Sequence, residues 1–104
     1  MSQRTRCDQL TAWHSDDRGQ TWRATVYRGV HVEAQTLVEP GQTGLAVADV
    51  LRAWVFSGCG IEVGDYVAPR ASAADRPPED ARRVVGVAPF TEPRGAHHWE
   101  VTAQ

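Results

Sequence analysis

The chain has 104 residues and a mass of 11.4 kDa, and its formal net charge is −2, with 11 basic residues against 13 acidic ones. Such a length holds one domain with one core. The charge balance excludes a general attraction to nucleic acid or to an anionic membrane, and no stretch approaches the roughly eighteen apolar residues of a membrane-spanning helix. All the basic residues are arginine; together with many Ala, Val and Gly this points to a GC-rich coding sequence rather than to a function.

Residues 1–8 are read as a flexible N-terminus. They lack the apolar run of a secretory signal, so Cys7 and Cys59, which form no C-x-x-C pair, are expected to be free thiols of a cytosolically made protein. Gln9 to His14 reads as a first strand, with Leu10 and Ala12 on one face and Thr11 and Trp13 on the other. Ser15-Asp-Asp-Arg-Gly19 is a turn, and Gln20 to Tyr27 returns as a second strand with Trp22, Ala24 and Val26 on one face. These two segments make the clearest hairpin in the chain. Arg28-Gly29 allows a bend before a third strand, Val30 to Ala34. Glu39 to Gly44 is a loop by composition.

Leu45 to Phe56 fits both periods. The aromatic and β-branched residues favour a strand over Leu51–Phe56, preceded by a short turn or helical piece. Ser57-Gly-Cys-Gly60 breaks the pattern, and Val63-Gly64-Asp65 is a tight turn into a strand at Tyr66–Ala68. Residues 69–81, with Pro77-Pro78, form a long exposed loop expected to be the most mobile part of the chain. Arg82 to Val87, a turn over Pro89–Gly95, and His97 to Thr102 complete the sheet. The sum is an all-β, mainly antiparallel single domain over 1–104. It is a small barrel or sandwich of six to seven strands with long loops and room for one short helix. Trp22, Val26, Val84, Val87, Trp99 and Val101 are the candidate core. Trp13 and Trp54 are open between core and surface, and an exposed Trp would make a good interface anchor.

Catalytic and metal chemistry find little support. His97 and His98 are adjacent in a strand and point to opposite faces, so they cannot chelate one ion together. Cys59 between two glycines resembles a nucleophile's turn, but a flexible turn with a chance cysteine is the reading preferred. The arginines Arg70, Arg76, Arg82 and Arg83 are interleaved with Asp75, Glu79 and Asp80, which cancels the field a phosphate backbone requires. Direct nucleic-acid binding is therefore not expected.

The order of motifs does resemble a known family. Thr21-Trp22, Gly29-Val30, Ala53-Trp-Val-Phe56, Val63-Gly-Asp-Tyr-Val67, Arg83-Val-Val-Gly-Val87 and His98-Trp-Glu-Val101 follow one another as in the minor capsid or head–tail joining proteins of tailed phages and prophages. The resemblance spans residues 10–103 and departs mid-chain, where Phe56-Ser57 stands in place of an Ile-Pro. It implies a non-enzymatic virion structural protein at the joint between portal and tail, assembled in the bacterial cytoplasm as one copy in a ring. Its implied partners are other copies of itself and the portal, adaptor and tail proteins, with no cofactor and no membrane. A ring subunit would use its edge strands and long loops, which makes Arg70, Asp75, Arg76, Pro77, Pro78, Glu79 and Asp80 the candidate partner-contact residues. Deleting Ala71–Pro78 is then expected to leave a folded monomer. The alternative is a stand-alone β-barrel module that binds a protein or single-stranded nucleic acid.

Overall fold

A computed structural model describes residues 8–41, 44–56, 58–91 and 97–104; along 35–41, 44–49, 91 and 97 it describes the backbone alone. Six strands are present: β1 (Asp8–His14), β2 (Arg23–Gly41), β3 (Gly44–Val55), β4 (Tyr66–Ala68), β5 (Arg82–Thr91) and β6 (His97–Ala103). Every pairing is antiparallel, and the sheet closes on itself in the order β1-β2-β3-β6-β5-β4. The chain is thus an all-β barrel. Among the described residues there is no helix.

The barrel interior is filled by Leu10 and Ala12 of β1, Val30 of β2, Leu51, Ala53 and Val55 of β3, and Val67 of β4. Val84 of β5, Val101 and Ala103 of β6, and Ile61 complete it. Each strand contributes alternate residues, as a closed barrel requires. Val84 and Val101 take the core places expected of them, and Val87 packs against the core from partial exposure. Trp99 opposes Val55 at one end of the barrel and is half-buried.

Trp22 and Val26 do not line the interior. Leu10 pairs with Tyr27 and Ala12 with Thr25, so the inward residues of β2 are the odd ones up to Tyr27. Gly29, at φ 67, then adds one residue between the partners of Asp8 and Gln9. This bulge reverses the parity, and Val30 and Val32 turn inward beyond it. The alternation of residues 22–26 is real, but its apolar face is the outer one. The same bulge lets the second and third expected strands run on as one.

The segment 35–50 also differs from expectation. Among the described residues neither a loop nor a helical piece occurs there: Gln35 to Gly41 pairs with Gly44 to Val50 as a ribbon, and residues 42–43 of the expected loop lie outside the described residues. Extended pairing satisfies the backbone polar groups that a helix would otherwise have satisfied. β1 leaves β2 at Val30, and β6 leaves β3 at Leu51, so over this stretch the two strands pair only with each other among the described residues. At about 3.3 Å per residue the ribbon is an arm of about 20 Å. The radius of gyration, 14.7 Å, exceeds the roughly 13 Å of a compact chain of this length.

Residues 69–81 form a long, mostly exposed loop, and it is tied down over β1. Both faces of β1 are buried, with Thr11 and Trp13 fully covered on the outer side. The Thr11 hydroxyl donates to the Arg70 carbonyl at 2.6 Å and accepts from the Ser72 amide at 2.9 Å, while Trp13 Nε1 donates to the Ala74 carbonyl at 2.9 Å. The segment is a cover for β1. Deleting Ala71–Pro78 would strip Trp13, so that deletion does not isolate a partner contact. β5 runs on to Thr91, past the expected start of the last turn at Pro89; residues 92–96, like Cys7, lie outside the described residues.

The expected tight turn at Val63–Asp65 is present: the Asp65 amide donates to the Glu62 carbonyl at 3.0 Å, with Gly64 at φ 98. A β-carbon at Gly64 would meet no atom within 4 Å. Gly64→Ala is therefore expected to cost only the left-handed backbone strain, about 1–2 kcal/mol. Leu10→Ala, which empties the middle of the core, should cost about 2–5 kcal/mol. Urea unfolding of the two variants beside the parent checks both values and their order.

Candidate functional site

The expected partner-contact residues divide into two groups. Arg70 and Asp80 face each other at the two ends of the cover, with both guanidinium nitrogens 2.9 Å from the two carboxylate oxygens. That bidentate pair holds the Asp80 carboxyl below and the Arg70 guanidinium above their ordinary ranges. These two charges close the segment on itself. Asp75 is exposed. Arg76, Pro77, Pro78 and Glu79, by contrast, line a depression of about 360 Å³ together with Trp22 and Tyr66.

A second depression of about 290 Å³ adjoins it and shares Gly19, Trp22 and Tyr66, with Arg18 and Arg83 on its walls. Trp22 and Tyr66 meet edge to face, with centroids 5.7 Å apart and planes at 80°. The pair forms an aromatic ridge between the two hollows. Three arginines and one glutamate line them. Arg18, Arg76 and Arg83 have no ion-pair partner among the described residues.

The turn between β1 and β2 fixes one wall of this groove. Arg18 sits at φ 60 and Gly19 at φ 87, a backbone that a non-glycine residue adopts only where its surroundings hold it. Asp17 supplies the hold. Its carboxylate accepts from the Thr21 hydroxyl at 2.5 Å, the Thr21 amide at 2.9 Å and the Ser15 hydroxyl at 2.8 Å. Those donors, the Thr21 hydroxyl foremost, lower its pKa to about 2. Ser15 Oγ in turn accepts from the Gly19 amide at 2.7 Å. Sequence composition marks this stretch as a turn, but not Trp22 as the groove's ridge, because Trp22 gains that place only from the distant Tyr66 and Pro77.

His14, Glu62 and Asp65 bring their ligand-type atoms within 4.8 Å of one another. His14 Nδ1 lies 2.6 Å from Asp65 Oδ1 and Nε2 lies 2.7 Å from Asp16 Oδ1, while Asp65 Oδ2 accepts from the Glu62 amide at 2.9 Å. With both ring nitrogens and both Asp65 oxygens engaged, the group acts as a latch between β1 and the turn before β4. Hydrogen bonds to Asp65 and then Asp16 raise the His14 pKa above 6.5.

A third cluster covers the outer face of β3 and β6. Trp54 Nε1 donates to Glu100 Oε1 at 2.8 Å, and the indole leans on His31 at 5.0 Å. His98 stacks on Phe90 at 5.3 Å and 10°. His31 is buried with Nε2 3.0 Å from Glu33, and its Nδ1 has no partner among the described residues. Trp54 is thus half-buried within this cluster rather than an open anchor. Cys59 is a free thiol whose pKa burial raises, the reverse of what a nucleophilic thiolate needs.

The His14 latch makes a pH prediction. A proton held more tightly in the folded than in the unfolded chain contributes stability that is complete below pH 6.5 and is lost as pH rises through the folded value. The melting temperature should therefore fall between pH 6 and pH 8.5, and His14→Gln should flatten that slope. A slope unchanged in the variant would remove His14 as its cause.

The chain matches no known protein-family model, and no curated protein matches it.

Proposed function

We propose that the chain is a structural subunit of the head–tail joint of a tailed phage or prophage, one copy in a ring that contacts portal or adaptor proteins on one side and tail proteins on the other. The observation that carries the reading is the arm of residues 35–50, a two-stranded ribbon with no third strand beside it among the described residues. An isolated two-stranded ribbon is marginal in water, and exposed strand edges invite pairing or covering. A protein that keeps such an arm is built to have it covered by another chain. Further support comes from where the motifs fall. Gly29-Val30 is the bulge that redirects β2 into the arm, Val63–Val67 is the turn into β4, and His98–Val101 lies on β6.

The particle itself tests the reading. Mass spectrometry of purified tailed particles from the source strain, scaled to the major capsid protein, should find the chain at a few to about a dozen copies, as for one small closed ring. Absence from particles while the free protein is abundant in the lysate would overturn it and favour a stand-alone binding module.

A further inference from the structure

We infer that the arm of one copy seats in the Trp22–Tyr66 groove of the next, so that copies join head to tail. The inference rests on the ring-subunit reading and names the contact that would build the ring.

The arm demands a particular kind of seat. By register, Val38 opposes Val47 and Pro40 opposes Leu45 on one face, while Leu37 opposes Ala48 and Glu39 opposes Ala46 on the other. Apolar residues thus occupy both faces of a ribbon only two strands wide. A sheet with one apolar face can turn it toward its own core; this ribbon has left the barrel and cannot. The stretch 33–50 carries Glu33, Glu39 and Asp49 and no lysine or arginine. Its occupant must therefore offer apolar surface together with positive charge.

The groove offers both. Trp22 and Tyr66 supply the apolar ridge, with Pro77 and Pro78 beside it. Arg18, Arg76 and Arg83 surround the ridge, opposed only by Glu79 among the charged residues of the lining. Arginines beside an aromatic floor suit carboxylates and extended apolar chain alike. The strained Arg18-Gly19 turn, held by Asp17, keeps one of these cations in place before any partner arrives.

Geometry sets the contact between copies rather than within one. The groove lies at the start of β2, beside Trp22, and the arm at the far end of the same strand beyond Ala34. Two different patches that fit each other make a heterologous contact, which closes into a ring when the rotation per copy allows it.

Charge reversal on each side tests this directly. One variant carries Glu39→Arg and Asp49→Arg; the other carries Arg76→Glu and Arg83→Glu. Light scattering with size exclusion, supported by chemical cross-linking over a concentration series, reads assembly. The parent should associate, and each variant alone should need at least tenfold more protein to do so. An equimolar mixture of the two should recover the parent's behaviour, because every arm then meets a groove of opposite sign. Recovery in the mixture also shows that both variants are folded. A parent that stays monomeric throughout, or a mixture no better than its components, overturns the arm-in-groove contact and leaves the particle measurement untouched. Retained assembly by the Arg76→Glu, Arg83→Glu variant, with loss of binding to an oligo-dT strand, would overturn it too and assign the groove to single-stranded nucleic acid.

Discussion

One buried carboxylate holds the barrel shut. Asp65 is 4% exposed, and it ties together three parts of the chain that are far apart in sequence. Its side chain reaches His14 at the end of β1 and the amide of Glu62, and its carbonyl accepts from the Val84 amide of β5 at 2.7 Å. β4, which bridges β1 and β5, is only three residues long. Three residues of pairing are a slender seam, and the Asp65 turn fixes it from one side. Burying a carboxylate is costly unless its hydrogen bonds are met, and here the partners that meet them are the elements being joined.

The cover over β1 follows from that closure. Once β1 sits between β2 and β4 its inner face is filled by the core, and Thr11 and Trp13 are left pointing outward. A tryptophan on the outer face of a barrel needs a partner for its N–H and a surface for its ring. The chain leaving β4 supplies both within a few residues, at Arg70, Ser72 and Ala74, and the Arg70–Asp80 pair then brings it back toward β5. Pro77 and Pro78, late in the cover, also wall the groove. One segment thus both covers β1 and walls the groove.

Much of this was legible in the residues, and the parts that were not have physical causes. The β1–β2 hairpin, the Val63–Asp65 turn and the inward run of Trp99 and Val101 each rest on local chemistry, which a sequence displays. The face of Trp22 and Val26 depended on Gly29. A bulge is one residue whose effect is to invert the meaning of every residue on one side of it, and alternation alone does not say on which side the core lies. The arm is hidden in the sequence for the opposite reason. Glu39-Pro-Gly-Gln-Thr-Gly44 has loop composition, and Leu45–Val50 fits a helix as readily as a strand; only its pairing with residues 35–40 decides. Likewise nothing local to residues 69–81 reveals that Thr11 and Trp13 lie beneath them. Of the groove, sequence reasoning placed Arg76, Pro77, Pro78 and Glu79 on a contact surface but missed Trp22, Tyr66, Arg18 and Arg83.

The two prolines within strands set a limit on how such a molecule can stick to itself. Among the described residues, β5 beyond Arg83 pairs with β6 alone, and the two strands of the arm pair only with each other. Pro89 lies in the first of these stretches and Pro40 in the second. Proline has no N–H to give, and in sheets it is confined to edges for that reason. A strand laid along either flank would find a gap in its ladder. Fibre-like stacking through main-chain bonds is thereby discouraged, and adhesion is left to side chains, which discriminate between neighbours where bare backbone does not.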